Sequence, residues 1–124
     1  IAGRPSMGKT ALATNIAFHA AMDISNNNQK SSVAFFSLEM SSEQLSTRIL
    51  AEQSRIRSNN IRTGKINQDD FDKFLEASKN IEDLPQHIYD TQALPISNLI
   101  NRARRFKRKN FCIKFFCIIN TIKA

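Results

Sequence analysis

"GRPSMGKT", residues Gly3 to Thr10, is the stretch that decides the fold of this chain. Its spacing is that of a phosphate-binding loop: a glycine, four residues, then Gly8, Lys9 and Thr10. Such a loop joins a buried strand to a helix. Gly3 and Gly8 suit it because they tolerate positive φ and carry no side chain to obstruct backbone N–H groups that crowd around phosphate oxygens. Arg4, Pro5, Ser6 and Met7 make up the rest of the cofactor-binding loop. Lys9 is expected to reach the β and γ phosphates, and Thr10 to turn its hydroxyl toward Mg²⁺. The start of the following helix adds partial positive charge.

Downstream, Thr10 to about Ile24 is alanine-rich, with Leu12, Ile16 and Ala20 four apart and Ala13 and Ala17 widening the same face, which predicts a helix packed on that side. "SNNNQKSS" breaks it. "VAFFSL", from Val33, is a continuous apolar run of the kind found in buried strands. Ser41 as N-cap, with Gln44 three residues on, predicts a second helix through Leu45 and Ile49 to about Ser54. A polar stretch runs to Gly64. Asn67 then caps a third helix with Asp69 and Asp70 in its first turn and Phe71, Phe74, Leu75, Ser78 and Ile81 on one face, closed by Pro85. His87 to Asp90 reads as a short strand, and Ser97 opens a fourth helix with Leu99, Ala103 and Phe106 facing inward. The apolar remainder reads as a last strand interrupted by Lys114. Strands alternating with helices predict an α/β fold, a parallel sheet with helices on its faces.

The chain has 124 residues, room for one domain or less. It is 41% hydrophobic and 23% charged, with a mean hydropathy of −0.36, as in globular proteins. No apolar run approaches the ~20 residues that span a bilayer, and the front end lacks the layout of a signal peptide, so the expectation is a cytoplasmic protein with no membrane partner. Cys112 and Cys117 have no further thiol or histidine at ligand spacing and read as buried thiols. The net charge of +7 suits a polyanionic partner.

Glu39 follows the "VAFFSL" strand, where a parallel sheet presents its ligand-binding edge; a carboxylate there is placed to act as general base toward an attacking water. "AGRPSMGKTALATNIA" followed by "VAFFSLEMSSEQLSTRILAEQS" closely resembles the motor domain of bacterial replicative DNA helicases of the DnaB type. The likeness continues through "IRTGKI", "IYDT" and "ISNLINRARRFKR", covering roughly residues 1 to 109. The resemblance implies a RecA-like P-loop NTPase. It implies ATP and Mg²⁺ as cofactors, DNA as partner, and homo-hexameric assembly. Gly3, Gly8, Lys9 and Thr10 match the family's phosphate loop, and Glu39 its catalytic acid.

Two departures accompany the likeness. Only Ile1 and Ala2 stand where the family has a hydrophobic strand, and no methionine precedes Met7, so the domain is expected to be truncated at both ends, a piece of a longer reading frame. Residues 110–124 form an apolar tail outside the family pattern, consistent with a frameshift near Asn110. In the family, the strand after the basic helix ends in an aspartate that holds Mg²⁺ through water. This chain has no Asp or Glu after Asp90, and Asn120 is the nearest polar candidate. A neutral amide replaces a carboxylate poorly at a divalent cation, so impaired hydrolysis is expected. The family's DNA-binding loops, its intersubunit arginine and its primase-contacting domain are not represented.

"RARRFKRK", Arg102 to Lys109, has six basic residues in eight, and reads either as a solvated helix face or as a track for a phosphate backbone. His19 and His87 have no ligand-spaced companions and are assigned no role. "FFCII" has the composition of an aggregation-prone segment. The primary reading is a fragment of a replicative helicase motor domain that binds ATP. The alternatives are a stand-alone nucleotide-binding or interaction module and a non-functional remnant.

Overall fold

The apolar run after the first helix becomes a strand in which every residue from Ser32 to Ser37 is buried. Such a strand must lie inside a sheet, where both edges of its backbone find partners. The computed structural model describes residues 7–91, 95–109 and 113–119. Its elements are α1 (Lys9–Asn26), β1 (Ser32–Ser37), α2 (Ser42–Ser54), α3 (Ser58–Thr63), α4 (Gln68–Glu82), β2 (Gln86–Asp90), α5 (Ile96–Lys109) and β3 (Ile113–Ile119). β1 is central in a three-stranded sheet of order β2-β1-β3, and both pairings are parallel. Val33 pairs with Gln86 and Ser37 with Asp90 on one side; Ser37 pairs with Ile119 on the other. The expected parallel α/β sheet is therefore present. The interruption expected at Lys114 is a slip of register: Ser32 pairs with Ile113 and Val33 with Phe115, so the ladder passes over Lys114 while the strand continues.

Alternation along β1 sends Ala34 and Phe36 to one face, where they form a buried cluster with Leu99 and Phe106 of α5 and the half-buried Tyr89 of β2. The rings of Phe36 and Tyr89 stack at 4.9 Å, and Phe106 meets Tyr89 edge-on at 5.7 Å. Leu99 and Phe106 thus face inward as the sequence predicts, with Ala103 half-buried. α1 packs across all three strands. Its buried face is Thr14, Ala17, Phe18, Ala21 and Ile24, and the Thr14 hydroxyl is satisfied by donating to the Thr10 carbonyl at 2.7 Å. This corrects the expected stripe: Leu12 and Ile16 are exposed. The reason is close approach. Ala17 and Ala21 are fully buried, so small residues bring the helix axis near the sheet, and Leu12 and Ile16 are rotated off that line.

Residues Glu43–Leu84 make a second compact unit, distinct from the one formed by the sheet, α1 and α5. Its buried residues include Leu45, Ile49, Ile56 and Ala77. The polar stretch before Gly64 holds a helix the sequence reading missed, α3. It ends on Gly64 at φ 69°, with Gly64 N–H donating to the Ile61 carbonyl (3.3 Å) and Lys65 N–H to that of Asn60 (3.0 Å). This paired closure requires the left-handed conformation that glycine adopts without strain. Asn67 caps α4 as expected, its side-chain oxygen accepting from Asp70 N–H at 2.7 Å. The apolar stripe of α4 is less buried than predicted: Phe71 and Leu75 are exposed, Phe74, Ser78 and Ile81 are half-buried, and Ala77 is buried.

Replacing the central stacked ring tests this packing. Phe36→Ala removes a side chain only 2% exposed and is expected to lower unfolding stability; large-to-small aromatic truncations in cores cost about 3–5 kcal/mol. Urea denaturation followed by circular dichroism checks the change in midpoint.

Candidate functional site

In a parallel sheet the carboxyl ends of all strands lie at one edge, and helices that precede them return there at their amino ends. α1 reaches the start of β1 through a short connection at residues 27–31, which leaves its amino end at the carboxyl edge. Gly8 takes the left-handed conformation (φ 77°, ψ 13°) at this helix start. A β-carbon there would meet no heavy atom within 4 Å, so the position favours glycine through its backbone angle. Leu12 N–H donates to the Gly8 carbonyl at 2.9 Å and closes the first turn. Lys9 and Thr10 lie half-buried in that turn, and Met7 is exposed. Gly3, Arg4, Pro5 and Ser6 lie outside the described residues.

Glu39 stands two residues beyond β1 and is exposed. Its loop is tied at both ends. Met40 N–H donates to the hydroxyl oxygen of the buried Ser37 at 3.0 Å. Ser42 donates to Asp90 Oδ2 through its N–H at 2.7 Å and its hydroxyl at 2.9 Å. Because Ser37 and Asp90 are register partners, adjacent strand ends hold the loop that carries Glu39. Hydrogen bonds from the Ser42 backbone N–H and then its hydroxyl hold the Asp90 carboxyl below its ordinary value of 3.8.

Asp90 is the residue that sequence reasoning left without a role. Its signal was an acid at the end of a predicted strand, opposite a helix start rich in serine. Ser41 directly precedes α2, as expected of its N-cap, and Asp90 supplies a further anchor for the helix's first residue. Among the other candidates, Arg104, Arg105, Lys107, Arg108 and Lys109 are exposed on α5 and form no ion pair among the described residues. Arg102 donates to the Thr91 hydroxyl at 2.7 Å. His19 meets Phe18 edge-on and His87 meets Phe106 edge-on. The expectation of buried thiols falls outside what is described for Cys112 and Cys117. Among the described residues, no helix is long and apolar enough to cross a membrane, and no cluster of His, Cys, Asp and Glu is grouped to hold a metal.

This combination of a parallel sheet, a glycine-led helix start and an acid beyond the central strand is that of RecA-like α/β ATPase domains. A solved structure of an ATPase domain aligns with a TM-score of 0.80 at 26% identity, covering 95% of this chain and 40% of that one. A DnaB-like replicative helicase, solved in a study of its interactions with primase, aligns with a TM-score of 0.78 at 26% identity, covering 98% of this chain and 29% of that one. The chain belongs to the DnaB-like helicase C terminal domain family, whose profile matches residues 1–120. Its relatives include the replicative DNA helicase DnaB of Rickettsia bellii, 48% identical, and that of Rickettsia felis, 43% identical, each matched over the whole of this chain. That of Geobacillus stearothermophilus is 38% identical over 89% of the chain. The chain spans about a quarter of the length of the Rickettsia relatives (26%).

The loop anchor generates a prediction with a definite sign. A depressed carboxyl contributes its share above the unfolded-state value and loses it as pH falls through the folded one. The Ser42 amide proton shift is therefore expected to titrate with a midpoint below 3.8. In Asp90→Asn that titration is expected to vanish and exchange at the Ser42 amide to rise, both measured by nuclear magnetic resonance.

Proposed function

We propose that this chain is the nucleotide-binding part of a replicative helicase motor, with Gly3, Arg4, Pro5, Ser6, Met7, Gly8, Lys9 and Thr10 forming the cradle for ATP. The observation that supports the proposal is topological: α1 starts with Gly8, Lys9 and Thr10 at the carboxyl edge of a parallel sheet, and Glu39 follows β1 at that same edge. Helix-start amides and the Lys9 ammonium would hold the phosphate oxygens, and Thr10 would offer its hydroxyl to Mg²⁺. The donor set fits a hard cation that retains most of its water, with few protein oxygens and negative charge supplied by the nucleotide. A Mg²⁺ ion held there would supply positive charge against the phosphates. Glu39 would serve as the general base toward an attacking water, and the Ser37 and Asp90 ties keep its loop in place.

In the full-length helicases this reaction is coupled to DNA unwinding by a homo-hexamer, and we extend that assembly, DNA and the cytoplasm to this chain as part of the proposal. α5 is a candidate phosphate-backbone surface, weighed against its plain role as a solvated face. One observation favours binding over turnover here. β3 runs beside β1 to Ile119, and the next residue in sequence is Asn120, with no acid after Asp90. A chain that holds Mg²⁺-ATP without a carboxylate following β3 is expected to bind better than it hydrolyses.

Titration with Mg²⁺-ATP by isothermal calorimetry tests this. Saturable binding is expected in the chain as written, with a loss of at least about tenfold in Lys9→Ala, since charge-assisted bonds to phosphate are worth about 1.5–3 kcal/mol. Glu39→Gln is expected to retain binding and to remove whatever slow turnover a phosphate-release assay detects. Undiminished binding in Lys9→Ala would contradict the assignment of the cradle.

A further inference from the structure

A second site lies at the opposite, amino edge of the sheet. There a cavity of about 590 Å³ is lined by Lys30, Ser32, Pro85, His87 and Lys109, together with Gln29 and Ser31. It is of the size that takes small ligands. Ser32 opens β1 and pairs with the first residue of β3, while His87 pairs with Ala34 in the β1–β2 ladder. Alternation puts Ser32 on the same face as Ala34 and Phe36, the face covered by Leu99 and Phe106 of α5. Beyond Phe106, α5 ends at Lys109, and the cavity lies there.

Two independent observations give the cavity a chemical preference. Its lining contains two lysines and no carboxylate, and Lys30 and Lys109 are in no ion pair among the described residues. Ser32 is 7% exposed, yet its hydroxyl oxygen is buried without a hydrogen-bond partner. A buried hydroxyl left unpartnered is costly and calls for a ligand or water. Both α1 and α5 direct their carboxyl ends, with partial negative charge, toward this edge. The full charges of Lys30 and Lys109 outweigh those half-charges, and Lys107 and Arg108 in the last turn of α5 add to the same field.

We propose that this amino-edge cavity binds an oxyanion of the phosphate class, either as the free ion or as the phosphate of a small phosphomonoester. The Ser32 hydroxyl donates to an anion oxygen, and Lys30 and Lys109 close on it as charge partners. A purely acceptor ligand matches this donor set. The site is separate from the cradle at the carboxyl edge, and it does not rest on that assignment.

The test is residue-resolved nuclear magnetic resonance on the full chain at constant ionic strength, in a Lys9→Ala background so that the opposite edge does not compete. Inorganic phosphate and adenosine monophosphate are titrated separately. Saturable shifts at Lys30, Ser32 and His87 are expected with at least one probe, weakened at least tenfold by Ser32→Ala and by Lys109→Gln. Tighter saturation by the nucleotide identifies a phosphomonoester site, and equal or tighter saturation by phosphate a free-ion site. Without ligand, Ser32→Ala is expected to keep or raise the melting temperature, since it deletes an unpartnered group. Absence of saturable shifts with both probes would overturn the proposal whatever the melting temperature, and a lowered melting temperature in Ser32→Ala would then mark a site for water alone. Saturable binding that survives both substitutions would overturn it as well.

Discussion

Six consecutive buried residues in β1 leave the backbone no recourse to water, so each N–H and C=O between Ser32 and Ser37 needs a neighbouring strand. β2 meets this need on one side and β3 on the other, both parallel. Parallel pairing cannot be made by a tight turn, so long connections must return the chain to the starting edge, and these carry the helices. The same constraint gathers the ends of the strands. Ser37 and Asp90 stand side by side because β1 and β2 run in register, and from there they hold the loop between β1 and α2. The chemistry of the carboxyl edge thus follows from the burial of the central strand.

The two edges of the sheet differ in charge. The carboxyl edge receives the amino end of α1, with its partial positive charge, and also Glu39 beyond β1 and Asp90 at the end of β2. This mixture suits a ligand that brings both anionic phosphate and a cation. The amino edge receives the carboxyl ends of α1 and α5, and the cavity there is lined by two lysines and no carboxylate. The net charge of +7 is therefore uneven, with much of its excess on α5 and at the amino edge. Electrostatics of this kind guide anions toward particular surfaces and leave the fold itself to burial and backbone pairing.

Much of this was legible from residue pattern. "VAFFSL" announced a buried strand because continuous apolar β-formers have few other solutions, and Asn67 announced a helix start because its side chain can cap an orphan amide. Leu99 and Phe106 were readable as inward because they share one side of a helix whose other side is strongly basic. The misses share a cause. In α1, alanine is nearly neutral in hydropathy, so the Leu12 and Ile16 stripe looked stronger than the Ala17 and Ala21 line on which close packing depends. In α3, "SNNIRT" has no apolar period, and its helix is closed by Gly64. Asp90 could not be assigned because its partner, Ser42, lies 48 residues away and meets it only once β1 and β2 are paired.

The central claim is that the nucleotide belongs at the carboxyl edge, between the start of α1 and the loop after β1. Amide hydrogen exchange with and without Mg²⁺-ATP tests it most directly, since it locates a ligand on the chain without altering a residue. The account predicts slowed exchange concentrated at residues 8–11 and 38–42, with the body of β1 unchanged because it is already protected. Protection confined elsewhere, or none at saturating nucleotide, would contradict it.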